Sequence, residues 1–301
     1  FTFFMGNINH YYLGCPIWAN KDWCGALFTA KAKPKDYLRQ YAQVFNTVEG
    51  SNTFYALPSG EQILRWRSDT PAHFRFSFKF PQTITHVFKL RHVQEELIRF
   101  FTVMQPLQER IGIYFLQLPP IFNFKSLPVL KKFLPLLPAG YTYAAEVRHP
   151  DFYTNPQAQD QLNQLLQEHG INRAVFHTST LHSLTATDVH TIEAQRKKPK
   201  MPDVLVATAQ NPFVRFVGNA LPQKNAEPLT LIAQTVAQWL QEGKTPYLFM
   251  HTPGDEFAPQ TCRYFHQLLT PLAHQKGLNI GSLAAFAGEN EQIKPQQMNL
   301  F

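Results

Sequence analysis

A few polar residues, spread widely along the chain, carry most of the chemistry it could perform. Glu49, Lys79, Gln117, Glu146 with Arg148 and His149, His177, Arg215 and His251 lie within or just past short apolar or aromatic runs. Cations beside carboxylates and imidazoles are what a site needs to hold an anionic group and to move a proton. Glu146 and His149, with Glu49, are the acid/base candidates. Lys79, Arg148 and Arg215 are the candidate anion clamps, because charged donors bind phosphate and carboxylate oxygens strongly. Trp18, Asn52, Tyr55, His86, Gln117, His177 and His251 complete the expected ligand-binding set.

Each residue also has a plain structural reading. Glu146 and Arg148 could be an ion pair, Lys79 could stack its stem on an aromatic ring, and a histidine usually satisfies a hydrogen bond. Convergence on one place weighs against that reading, since buried charge is costly unless paired or used. A metal held by Glu49, Glu146, His149, His177 and His251 is an alternative that sequence spacing does not diagnose. No GxSxG is present, Cys15 and Cys24 read as core packing, and no cofactor is indicated.

Positioning these groups falls to eight strand-like runs: 11–15, 46–49, 75–80, 112–118, 141–147, 173–178, 213–218 and 247–251. Helix-like stretches separate most of them. Pro34 opens 35–45, Ser59 and Gly60 precede 61–67, and 92–107 is amphipathic. Asn155 and Pro156 start a helix ending at Gly170, Glu227 and Pro228 one ending at Gly243, and Pro259 lies in the first turn of one ending at Gly277. Eight β-then-α units predict a single α/β domain, a (β/α)8 TIM-like barrel, whose chemistry collects where strands end. The expected division is an N-terminal extension at 1–10, the barrel at 11–277 and a flexible polar tail at 278–301. The stretch 179–212 shows no clean helix, and its basic run Arg196, Lys197, Lys198 and Lys200 reads as a solvated loop.

Only 16% of the 301 residues are charged while 44% are hydrophobic, a core-building composition that excludes wholesale disorder. The formal charge of +7 is uneven: 17 basic and 9 acidic residues lie in 1–150, against 11 and 12 in the remainder. The first half is therefore the expected face for an anionic partner, nucleic acid included. Neither GxGxxG nor GxxxxGK[ST] occurs, and no apolar run reaches the roughly 18 residues of a membrane span. Residues 1–20 lack a basic start and a small-residue cleavage site, and the three cysteines lack CxxC spacing, so a cytoplasmic protein with reduced thiols and no membrane partner is expected. The chain opens on Phe1, so an upstream piece removed or a start at Met5 is expected.

Several motifs resemble the YecE-like family, which is catalogued as a domain of unknown function. They are Phe45-Asn-Thr-Val-Glu-Gly-Ser-Asn-Thr-Phe-Tyr55 with Leu57-Pro-Ser59; Gly14 with Trp18, Asp22, Trp23 and Gly25; Phe76-Ser-Phe-Lys79 with Ile84-Thr-His86; Leu116-Gln-Leu-Pro-Pro120; Ala145-Glu-Val-Arg-His-Pro150; Val214-Arg215 with Gly218; and Ala258-Pro259. The resemblance runs from residue 11 to about 275 and implies a TIM-type barrel without implying a reaction. This chain departs from the family pattern at Pro16-Ile17, at Gly50-Ser51, and at His177, where an acidic residue is common. The last departure weakens a metal site that needs a carboxylate there.

The tail ends Gln297-Met298-Asn299-Leu300-Phe301. This pentapeptide resembles the bacterial sliding-clamp-binding motif, in which Leu and Phe fill an apolar pocket while Gln makes hydrogen bonds. Chance would match the pattern on the order of 10⁻⁵ per position. The expected function is binding, and acid/base processing, of a phosphate-bearing ligand at the barrel mouth, with Gln297, Met298, Leu300 and Phe301 recruiting the protein to the clamp. The alternatives are a non-catalytic anion-binding adaptor and a small-molecule hydrolase or isomerase unrelated to DNA.

Overall fold

The computed structural model describes residues 11–291. Its strands are β1 (Tyr12–Gly14), β2 (Thr47–Gly50), β3 (Arg75–Lys79), β4 (Ile111–Gln117), β5 (Tyr143–Glu146), β6 (Asn172–His177), β7 (Phe213–Val217) and β8 (Tyr247–His251). All pair in parallel, in the order β1-β8-β7-β6-β5-β4-β3-β2. Around them run α1 (Pro34–Tyr41), α2 (Gly60–Asp69), α3 (Gln94–Met104), α4 (Leu127–Phe133), α5 (Asp151–Thr154), α6 (Pro156–Glu168), α7 (Ser179–Ser183), α8 (Val189–Lys197), α9 (Ala226–Gln241) and α10 (Ala258–Gln275). The architecture is the expected α/β TIM-like barrel. Its strands are continuous apolar runs because both faces are covered, inside by the barrel and outside by helices.

The ring closes between β1 and β2, where no regular ladder forms. Leu13 N–H donates to Asn46 Oδ1, Asn46 Nδ2 donates to the Tyr11 carbonyl, and Glu49 N–H donates to the Cys15 carbonyl. The buried Tyr41 hydroxyl completes this seam, accepting from Cys15 N–H at 2.7 Å and donating to the Thr47 carbonyl at 2.8 Å. Gly14 is required here: a Cβ would stand 2.0 Å from the Thr47 oxygen.

Inside the barrel, Ile113, Phe115, Ala144, Ala174, Phe213, Tyr247 and Phe249 form an apolar plug. Alternation along each strand fixes what lies above it. Two residues beyond Phe115, Ala144, Ala174, Phe213 and Phe249 come Gln117, Glu146, Phe176, Arg215 and His251. The register Lys79↔Phe115 and Ser77↔Glu49 puts Lys79 and Glu49 on the same inner face.

The stretch after β6 corrects two expectations: Arg196 and Lys197 of the basic run lie in a helical last turn rather than in a loop, and two helices form within 179–212, the short α7 and the longer α8. Asp188 caps it, accepting from Thr191 N–H and Thr191 Oγ1. Its apolar residues lie on no single face, for Val189 and Ile192 are exposed while Thr191 and Ala194 are buried, so it shows no amphipathic period. After α10 the chain stays on the barrel at least as far as residue 291. Phe286 is buried against Phe45, Glu289 makes a two-point ion pair with Arg263, and Gly288 N–H donates to the Ala26 carbonyl. Among the described residues no helix is long and apolar enough to cross a membrane.

Candidate functional site

The polar layer above the plug is built around Arg215. Its Nε and Nη2 donate to the two oxygens of Glu49 at 2.7 and 2.8 Å, and its Nη1 donates to Glu146 Oε2 at 2.6 Å. Phe176 and Phe115 lie under the guanidinium, 4.6 and 5.3 Å from its carbon. Arg148 Nε takes the other Glu146 oxygen at 2.7 Å, and Ser51 Oγ donates to Glu49 Oε1 at 2.7 Å. Burial alone would raise both carboxyls. Arg215 opposes it, and together with His251 at Glu49 and Arg148 at Glu146 outweighs it, so both are held below the usual carboxylate range. At neutral pH neither has a proton to give.

Lys79 stands differently. It is 9% exposed, its Nζ sits 3.6 Å from the centroid of the Phe54 ring, and among the described residues it has neither a side-chain hydrogen bond nor an ion pair. Burial lowers its pKa first, and the Arg215 and Arg148 charges add to that against the pull of Glu146 and Glu49, leaving it at about 7. His86, edge-on to the same ring at 5.0 Å and joined to Thr85 Oγ1 through Nδ1, is pushed down to about 4 by burial and by Lys79 and Arg148.

The remaining expected residues divide. His251 is buried with Nε2 3.3 Å from Glu49 Oε2 but out of line for a hydrogen bond, and burial keeps its pKa low. Gln117 is buried at the end of β4, level with Glu146, and makes no side-chain hydrogen bond. Trp18 and Asn52 line a cavity of about 120 Å³ beside Glu49 and Ser51. Tyr55 is exposed at the rim, edge-on to Phe54. His177 packs on Phe216 and reaches Asp203 at 3.2 Å. His149 is not brought to Arg215 or Glu146; its Nδ1 accepts from Asp151 N–H at the start of α5.

Lys198 was hidden in the sequence inside its basic run. Arg196 and Lys197 are exposed, but Lys198, just past α8, is partly buried and carries no ion pair among the described residues. Burial lowers its pKa; Asp255 and Glu49 oppose this while Arg215 and Arg148 add to it, which places it in the field of the same mouth. Only its position before Pro199, at the end of a capped segment, could have marked it. Among the described residues, no three His, Cys, Asp or Glu side chains converge to hold a metal. The oxygens of Glu49 and Glu146 are instead taken by Arg215, Arg148 and Ser51.

A family described as protein of unknown function DUF72 matches residues 12–280. UPF0759 protein YecE of Escherichia coli K12 is 41% identical over 291 residues, 96% of this chain and 99% of the relative. A DUF72-family protein of Thermotoga maritima has the same fold, with a TM-score of 0.66 at 22% identity over 87% of this chain and 99% of that one. Another, from Enterococcus faecalis, gives 0.67 at 16% identity over 86% and 95%. Matched over residues 12–280 and 41% identical to a YecE protein along nearly its whole length, the chain belongs to the DUF72 family.

Proposed function

We propose that the mouth of this barrel binds an anionic ligand bearing a phosphate or carboxylate, and that Lys79 is the group there that exchanges a proton at neutral pH. One observation carries the reading: at the mouth Lys79 is buried and Lys198 partly buried, and among the described residues neither has a carboxylate to pair with. Proteins seldom bury a lysine unpaired. An anion lying between them and the terminal nitrogens of Arg148, which commits only its Nε, would remove the penalty of both. Glu49 and Glu146, held ionised, serve to fix Arg215 and Arg148 rather than to give protons. The basic excess of residues 1–150 supports a phosphate-bearing ligand, a nucleic-acid end among the candidates. The pentapeptide with Gln297, Met298, Leu300 and Phe301 lies outside the described residues, and its sequence alone supports recruitment to a sliding clamp.

The test is calorimetric titration of inorganic phosphate into the protein and into Lys198→Met and Arg148→Met. Each variant should lose about tenfold or more in affinity, equivalent to about 1.4 kcal/mol. Unchanged affinity in both variants would overturn the reading.

A further inference from the structure

We propose that Lys79 is a covalent nucleophile, whose amine condenses with the carbonyl carbon of an anionic oxo compound, a 2-oxo acid or a phosphorylated aldehyde or ketone, to form an imine at the end of β3. The inference rests on the anion-binding reading above and adds to it a bond-forming step.

Its basis is the isolation of one amine. The carboxylates that could pair with Lys79 Nζ are already claimed: Glu49 by two nitrogens of Arg215, and Glu146 by Arg215 and Arg148. Held this way, they leave the amine with only the Phe54 ring face beneath it. Lys79 lies in the field of the Arg215 and Arg148 guanidiniums, whose charge favours the neutral amine, the form with a lone pair free for attack. Its pKa of about 7 agrees with that placement. Phe54 is itself buried, so its ring covers one side of the nitrogen and leaves the other side open to a ligand. Arg148 and Lys198 are left to hold the anionic end of the same compound.

The step balances without a further reactant. The nitrogen lone pair forms the N–C bond as the C=O π pair moves to oxygen, and one amine proton passes through solvent to that oxygen. The nitrogen then forms C=N as the hydroxyl leaves with the second amine proton as water.

The test uses pyruvate, with acetone as its uncharged counterpart, in the presence of sodium borohydride, which reduces an imine to a stable amine that peptide mass spectrometry locates. Pyruvate should label Lys79 at least about tenfold more than any exposed lysine. Phosphate should suppress the label, acetone should give little, and Lys79→Arg should abolish it while circular dichroism shows the fold retained. If pyruvate binds calorimetrically yet labels Lys79 no more than exposed lysines, the imine is overturned and the anion site stands. If acetone labels Lys79 as well as pyruvate does and phosphate does not compete, the nucleophile stands and the anion reading falls.

Discussion

Replacing Lys79 by methionine should make the protein more stable at neutral pH. In the unfolded chain the amine has its ordinary pKa of 10.5, whereas in the mouth it is at about 7. At about 1.4 kcal/mol per pKa unit, protonation at pH 7 favours the unfolded chain by about 4 kcal/mol. A folded pKa of about 7 already includes what the Phe54 ring face returns to the ammonium, so methionine, similar in length and apolar, should gain about 4 kcal/mol. The sign also fixes the pH dependence. A folded pKa below the unfolded one means that the unfolded chain binds more protons between the two. Wild-type stability therefore rises as pH climbs from about 7 towards about 10.5, and the advantage of Lys79→Met shrinks over the same window. Urea unfolding of both proteins at the two ends of that window measures it. A methionine variant less stable at neutral pH, or one whose gain is the same at both ends, would refute the reasoning.

Arg215→Leu should cost about 3–5 kcal/mol in urea unfolding, because it leaves Glu49 and Glu146 buried without their shared cation; a loss below about 1 kcal/mol would show that the carboxylates do not depend on it. Since both carboxyls are held low, their contribution is complete above about pH 4.3 and disappears as pH falls through their lower folded values. Glu49→Gln should accordingly flatten the acid limb of a stability profile, and an unchanged limb would count against the pairing. Tyr41→Phe strips Cys15 N–H and the Thr47 carbonyl of their partner and should cost about 2 kcal/mol in urea unfolding. Leu300→Ala with Phe301→Ala should abolish binding to a bacterial sliding clamp in a surface-binding assay, and equal affinity would remove the recruitment proposal.

The strands were legible because each is an apolar run buried on two faces, so the eight runs read from sequence fall on β1–β8 with ends shifted by two residues at most. Helix α8 was not, because a short helix lying across the surface needs no apolar stripe, and its only local signal is the Asp188 cap. Alternation along the strands brings Glu49, Lys79, Gln117, Glu146, Arg215 and His251, all at or near strand ends, to one inner layer. Pairing was illegible, since nothing in sequence says that Arg215, expected to stay open for a ligand, spends its nitrogens on two glutamates 166 and 69 residues away. Nor does sequence show that the neighbouring His149 turns to cap α5 while Arg148 turns inward. Lys198 was masked by the solvated lysines around it, because burial of one member of a basic run depends on where α8 ends.

The central claim is that Lys79 is an unpaired amine awaiting an anion. Nuclear magnetic resonance of protein carrying ¹³C at lysine Cε, with Lys79→Arg assigning the signal, measures its pKa directly. The account requires a value near 7 that rises towards the ordinary range when inorganic phosphate is added. A value already close to 10.5, unmoved by phosphate, would contradict it.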